Sequence, residues 1–254
     1  PDDCEVLQES LVAIESWCEQ WEMMLNAGKC AFLRITRKKH FFNSQYFLQN
    51  TCIADVGEYK YWGLTLNSNL SWSSHVKRIC SAAFTKLCFL RRKLRHSPSH
   101  VKLLAYETIV RAKLEYASVI WDPHVKKDIY MLELVQRKAV RFIFNKYGCY
   151  DSPSKLMTDN GIQTLAVRRR LARLLFLNNM ATSKVKITPS TMIKPLSTRR
   201  TRHMHAHSFQ PIFAKTNQFR HSFFPRTISE WNALPEAVIQ AKNFSQALQE
   251  NICR

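Results

Sequence analysis

Two aspartates, Asp2 and Asp3, stand side by side in a chain whose formal net charge is +19. Adjacent carboxylates are what a nucleotidyl-transfer site uses to hold the divalent cations that activate a hydroxyl and stabilise a departing phosphate oxygen. They are also what a helix uses in its first turn, where carboxylates meet exposed N–H groups and the positive end of the macrodipole. The neighbourhood favours the second use. Asp2 lies three before Glu5, the spacing of a capping box, and leads into Leu7, Leu11, Ile14, Cys18, Trp21 and Leu25, one stripe of an amphipathic helix.

The remaining chemistry-bearing residues form no metal constellation. Asp55 and Glu58 flank a turn and read as loop charges, because a Mg²⁺ site needs several converging oxygens. His203, His205 and His207 alternate in a loop without a cysteine or carboxylate beside them. Eight cysteines are present but no CxxC pair, which points to buried thiols in a reducing, intracellular compartment rather than zinc. Trp72 and His75 read as a packing pair. The expected metal set is none.

Elements able to position a site come from a chain of 254 residues, 46% hydrophobic and 22% charged, long enough for one large or two smaller domains. Five glycines make Gly-rich phosphate loops and all-β folds poor expectations. No segment reaches the roughly 20 apolar residues of a membrane span, and no signal peptide is legible. The first residue is Pro1 rather than Met, so a piece of a longer protein is expected. Charge is divided sharply. Residues 1–66 hold 6 Lys/Arg against 9 Asp/Glu, and residues 67–254 hold 32 against 10. No acidic residue occurs from Asn160 to Ser229. A single-signed field of this size implies a polyanionic partner, with nucleic acid the leading class.

The pattern of elements is α+β and predominantly α-helical. After the first helix, Lys29–Thr36 and Tyr59–Asn67 read as strands of a small, mostly antiparallel sheet packed on that helix. From Ser71 the chain turns helical. Val76, Ile79, Ala83, Leu87, Leu90 and Leu94 form one buried face, with Lys77, Arg78, Lys86, Arg91, Arg92, Lys93 and Arg95 around the rest. A new helix starts at Pro98 and runs to Asp122-Pro123. Another spans about Lys126–Tyr147, with Leu132, Val135, Ala139, Phe142 and Ile143 inward, Arg137, Lys138 and Arg141 outward, and Gly148 as its stop. A short helix closed by Gly161 and a longer one carrying Arg168, Arg169, Arg170 and Arg173 follow. Residues 181–210 read as a loosely ordered linker, and short helices surround Trp231 and follow Phe244.

In this order, "NAGKCAFLRI", "YKYWGLTLNSNLSWSSHVKRI", "FLRRKL", "LEYASVIWDPHVKKDIYMLELVQRKAVRFI" and "FFPRTISEWNALPEAV" resemble segments of LINE-type (non-LTR) retrotransposon reverse transcriptases. The resemblance runs from end to end and is to the later part of that polymerase. It implies a C-terminal part of the palm at 1–70, a helical thumb at 71–147, and a basic C-terminal region at 148–254. It also implies that the family's metal-binding aromatic-Ala-Asp-Asp hairpin lies upstream, so Asp2 and Asp3 are not that motif. Mg²⁺ is then expected only in the full-length enzyme, and this chain alone is not expected to polymerise.

Site residues follow from the same resemblance. Lys29 is similar to a lysine near the incoming triphosphate, where it could act as general acid toward pyrophosphate; a lysine capping a strand edge is the alternative. Tyr61, Trp62 and Gly63 fall in a hairpin that supports the primer end, although Trp62 replaces the usual aliphatic residue. Ala112 stands where relatives often have Pro. Lys77, Arg78, Arg91, Arg92, Arg95, Arg137 and Arg141 are candidates for phosphate contacts with the template–primer duplex. Arg168, Arg169, Arg170, Arg199, Arg200 and Arg202 are candidates for RNA or target-DNA contacts. The expected partners are an RNA template, a DNA primer or target, and the missing palm and fingers, in a nuclear and cytoplasmic ribonucleoprotein without membrane attachment. A catalytically dead remnant or co-opted nucleic-acid-binding module, and a defective reading frame without selected function, are the rival readings.

Overall fold

A computed structural model describes residues 2–36, 38, 44–186, 192–196 and 205–253. The architecture is α+β and predominantly helical. Contacts divide it into two compact units, Pro1–His75 and Val76–Arg254.

In the first unit, helix α1 (Asp2–Gln20) is followed by a 3₁₀ turn at Ala27–Lys29 and six short strands. These are β1 (Ala31–Phe32), β2 (Phe47–Leu48), β3 (Thr51–Cys52), β4 (Ala54–Asp55), β5 (Glu58–Tyr61) and β6 (Leu64–Asn67). They form three separate two-stranded pairs rather than one sheet. β1 pairs with β4 in parallel, whereas β2–β3 and β5–β6 are antiparallel. The strand expected at Lys29–Thr36 therefore shrinks to two residues.

Asp2 and Asp3 lie inside the first turn of α1. The Asp2 side chain, and with it the expected capping box, falls outside the described residues. The buried side of α1 is also rotated from the expected stripe. Of that stripe Cys18 is buried, whereas Leu7, Ile14 and Trp21 are exposed. Gln8 donates to Phe47 O at 3.0 Å and accepts from Phe47 N at 2.9 Å, and Glu15 accepts from Gln49 N. These bonds tie α1 to the β2–β3 hairpin.

The second unit starts within helix α2 (Ser73–Lys93) and continues through α3 (Ser99–Ala105), a π turn (Tyr106–Arg111), α4 (Ala112–Glu115), α5 (Ser118–Trp121), α6 (Lys126–Phe144), α7 (Pro153–Asp159) and α8 (Leu165–Ala181). Four further helices complete it: α9 (Asn217–Arg220), α10 (Phe223–Asn232), α11 (Glu236–Ile239) and α12 (Phe244–Cys253). On α2, Val76, Ile79, Ala83, Leu87 and Leu90 are buried as the periodicity predicts. On α6, Leu132, Val135, Ala139, Phe142 and Ile143 are likewise inside.

Two helix ends differ from expectation. The helix predicted to run unbroken to Asp122 widens into the π turn, where Thr108 Oγ1 donates to Leu104 O at 2.9 Å, and breaks at Ala117 with φ 51°. Hydroxyl back-bonding of this kind bends helices. Trp121 Nε1 donates to Tyr116 O at 2.8 Å, which satisfies a carbonyl freed by the break. α6 ends at Asn145, not Gly148: Asn145 takes the left-handed conformation (φ 58°) and Lys146 N closes onto Arg141 O at 3.0 Å. Asparagine tolerates this conformation better than other non-glycine residues.

A second apolar cluster joins Leu174, Leu177 and Met180 of α8 to Ile228 and Trp231 of α10 and to Leu248 of α12. The expected linker is partly built into it. Among its described residues, His205 Nε2 lies 3.0 Å from Trp231 O, Trp231 Nε1 donates to His207 O at 3.0 Å, and Asn232 bonds Phe209 through both backbone groups at 2.9 and 2.7 Å. An indole N–H and a buried amide each need a partner, and only this returning segment supplies it.

Replacing Asn145 tests the α6 stop. Asn145→Gly should leave urea stability unchanged within a few tenths of a kcal/mol, and Asn145→Val should lower it by about 1–2 kcal/mol. Equal effects would show that the left-handed stop does not constrain the helix.

Candidate nucleic-acid interface

Helix α2 carries no acidic residue. Burial of its apolar stripe leaves Lys77, Arg78, Lys86, Arg91, Arg92 and Lys93 exposed, with Arg95 exposed just beyond the helix. α6 adds exposed Arg137 and Lys138 and half-buried Arg141. The two helices meet through cation–ring contacts. Lys138 Nζ lies 4.4 Å from the centre of the Phe84 ring, and the Arg91 guanidinium lies 5.7 Å from that of Tyr147. Arg141 reaches Tyr147 O at 3.4 Å and Asp151 O at 3.1 Å. Arg91, Arg141 and Tyr147 are thus gathered at the C-terminal end of α6. Arg137 sits 6.0 Å from the Tyr130 ring on the same helix. Cations beside exposed aromatic faces suit both phosphates and unstacked bases. Tyr147 and Tyr130 were not among the sequence candidates, since lone tyrosines carry no pattern.

In the first unit, Lys29 is exposed on its 3₁₀ turn. Its carbonyl accepts from Tyr59 Oη at 3.1 Å, which ties this turn to the β5–β6 hairpin. At the hairpin tip Trp62 (φ 49°) and Gly63 (φ 82°) are both left-handed, the conformation that matches a tight two-residue turn to strand twist. Tyr61 and Trp62 project from that tip, 58% and 74% exposed, with ring centres 6.1 Å apart. Tyr59 thereby connects the two elements that carry Lys29 and the Tyr61–Gly63 tip. Trp72 and His75 pack edge to face at 6.0 Å, and His75 Nδ1 accepts from Thr65 N at 3.2 Å.

The arginines of α8 have a different environment. Arg169 is 1% exposed and its Nε donates to Asp122 at 2.6 Å. Arg173 is 2% exposed and pairs with both Asp122 and Glu230, the latter at 2.8 Å. Arg226 reaches Asp122 at 3.2 Å and Glu230 at 3.3 Å, and Arg170 reaches Glu230 at 3.2 Å. Arg168 pairs with Glu115, whose bonding holds the Arg168 pKa above its ordinary value. Burial pushes the Arg169 and Arg173 guanidinium groups down to about 10, so both remain cationic at neutral pH. The expectation that Arg168 and Arg169 face nucleic acid therefore meets guanidinium groups already turned onto carboxylates of the same unit. Arg170 is 43% exposed and keeps a side toward solvent. The partners Glu115, Asp122 and Glu230 are 53, 47 and 60 residues distant from the arginines they meet, which is why local pattern did not reveal them. Arg199, Arg200, Arg202 and His203 lie outside the described residues.

Among the described residues no group of three or more His, Cys, Asp or Glu side chains is placed to hold a metal ion. Asp122, Glu230 and Glu115 meet arginines, a setting that does not fit a divalent-cation site. No helix of the described residues is long and apolar enough to cross a membrane.

A basic helical surface, an aromatic hairpin tip and an α+β frame accord with a reverse-transcriptase region of a LINE-type retrotransposon polymerase, and comparison with known proteins supports that class. Over 143 residues the chain is 29% identical to the RNA-directed DNA polymerase from mobile element jockey of Drosophila melanogaster, a stretch covering 54% of this chain and 15% of the relative. The jockey polymerase of Drosophila funebris is 25% identical over 142 residues, 55% of this chain and 15% of the relative. A probable RNA-directed DNA polymerase from transposon BS of Drosophila melanogaster is 25% identical over 141 residues, 54% and 16% of the two chains. The matched stretch thus spans about 15% of the length of these curated relatives. No protein-family model matches the chain, and no solved structure matches it.

Asp122→Ala would leave buried Arg169 without its carboxylate and take one of two carboxylates from Arg173 and Arg226; it should cost about 3–5 kcal/mol, whereas Arg92→Ala on exposed α2 should stay within about 0.5 kcal/mol. Urea unfolding of both variants measures the contrast. Similar small losses would mean that the ion network does not hold these helices together.

Proposed function

We propose that this chain is the nucleic-acid-gripping part of a retrotransposon RNA-directed DNA polymerase, contacting RNA template and DNA primer or target while carboxylates and Mg²⁺ elsewhere in the full enzyme carry out phosphoryl transfer. The observation that carries this reading is the acid-free outer face of α2, continued across Phe84 and Tyr147 by the cations of α6. Phosphates are held by such a face without base readout, so the grip is independent of sequence. Lys77, Arg78, Arg91, Arg92, Arg95 and Arg137 supply charge, Arg141 positions the Tyr147 segment, and Arg170 extends the surface. Tyr61, Trp62 and Gly63 support the primer end. Lys29, on the turn tied to that hairpin, acts as general acid toward pyrophosphate in the assembled enzyme.

Titrating an RNA–DNA duplex into the 254-residue chain tests the grip. Log affinity should fall linearly with log salt, at about −0.7 to −0.9 per phosphate contact. Arg91→Ala and Arg92→Ala should each weaken binding to unrelated sequences equally and reduce the slope by about 1. A flat salt dependence, or variants that bind as the parent does, would refute the reading. Primer extension with Mg²⁺ by the chain alone should be absent, and robust extension would refute the placement of the metal site elsewhere.

A further inference from the structure

A cleft of about 600 Å³ opens beside α9 and α10, lined by Pro211, Ile212, Arg220, His221, Arg226 and Asn232 among others. Its charge is unbalanced. Arg220 is exposed and has no ion-pair partner among the described residues, and Arg226 enters from α10. His124, from the segment between α5 and α6, stacks on His221 with ring centres 4.2 Å apart and planes 7° from parallel. The one carboxylate in the wall is Glu230, and it already accepts from Arg170, Arg173 and Arg226. Behind it Asp122 takes Arg169, Arg173 and Arg226. Four arginines therefore share two carboxylates, and one of the four, Arg226, lines the cleft beside Arg220.

We infer that this cleft binds a phosphodiester group of the bound nucleic-acid strand, held by Arg220, Arg226 and His221. A tetrahedral oxyanion accepts from guanidinium and imidazolium donors together, and partial burial strengthens each of those bonds over its value in water. The environment of His221 agrees. Burial, then His124, Arg226 and Arg220, all push its pKa below the ordinary value, so the two arginines of the cleft already bear on its ring. An anion in the cleft relieves this repulsion, and its binding strengthens as pH falls and His221 takes up a proton. This site is separate from the α2–α6 face, and its nucleic-acid assignment rests on the function proposed above.

The test follows the His124 and His221 ring C–H resonances of the full chain by NMR, at constant ionic strength set with chloride. Probes are inorganic phosphate, sulfate, and a short single-stranded oligonucleotide without a terminal phosphate. Both resonances should move saturably with phosphate and with the oligonucleotide. Sulfate, whose charge is constant across the range, should bind more tightly as pH is lowered from 7.5 to 5.5, by at most about tenfold per pH unit for one proton taken up on binding. Arg220→Ala should abolish these shifts and weaken oligonucleotide binding about 3- to 10-fold, with a salt slope smaller by about 1. His221→Asn should remove the pH dependence. Resonances that stay fixed, or that respond alike in parent and Arg220→Ala, would overturn the site. A response to free phosphate alone would overturn the nucleic-acid assignment. Steep salt-dependent oligonucleotide binding with unmoved histidines would leave the α2–α6 grip standing and refute this cleft, whereas phosphate shifts without any oligonucleotide binding would refute the grip.

Discussion

Helix α8 brings Arg169 and Arg173 into a dry interior, and the second unit is arranged so that carboxylates meet them. Asp122 arrives from the end of α5 and Glu230 from the middle of α10, and each takes three of the four arginines nearby. Desolvating so many ions offsets much of their attraction, so the network contributes little net stability while it is complete. Its force lies in what happens when one partner leaves, because the remaining charges then stay buried and unpaired. The relative placement of α5, α8 and α10 is therefore tightly constrained by charge as well as by the apolar cluster around Leu174, Leu177, Ile228 and Trp231.

Burial also divides the cations. A large positive surplus alone does not separate arginines that stay in solvent from arginines enclosed among helices. On α2 the apolar stripe faces inward and no acidic residue shares the helix, so Lys77, Lys86, Arg91 and Arg92 remain at the surface. On α8 every side chain from Leu165 to Met180 is buried or half-buried, and its arginines are carried inward with the helix. Similar side chains are thus left in solvent on one helix and enclosed on another by the neighbours their helices pack against.

Much of the fold was legible in the residues. The stripes on α2 and α6 place their core residues correctly, because amphipathic periodicity over five turns leaves one economical way to bury the apolar face. Tyr59–Asn67 read as one strand from its alternation, whereas the structure folds it into the β5–β6 hairpin with left-handed Trp62 and Gly63 at the turn, an arrangement only the family resemblance implied. Weaker periodicity misled. On α1 the expected stripe leaves Leu7, Ile14 and Trp21 exposed, and the helix is instead tied by Gln8 and Glu15 to a hairpin 39 and 34 residues away. The segment containing His205 read as a linker because its composition is polar, yet it supplies partners to Trp231 and Asn232.

The sequence by itself determined the helical class, the division of charge along the chain, and the identity of the acid-free helix that presents cations, since these depend on composition and near-neighbour spacing. Tertiary structure alone decided which arginines are enclosed, which tyrosines stand beside cations, and that Arg220, His221 and Arg226 line one cleft with His124 stacked on His221. Each of these depends on pairings between residues many turns apart. A charge has the same valence anywhere in a sequence, but its solvation, and hence its work, is set by whatever the fold places against it.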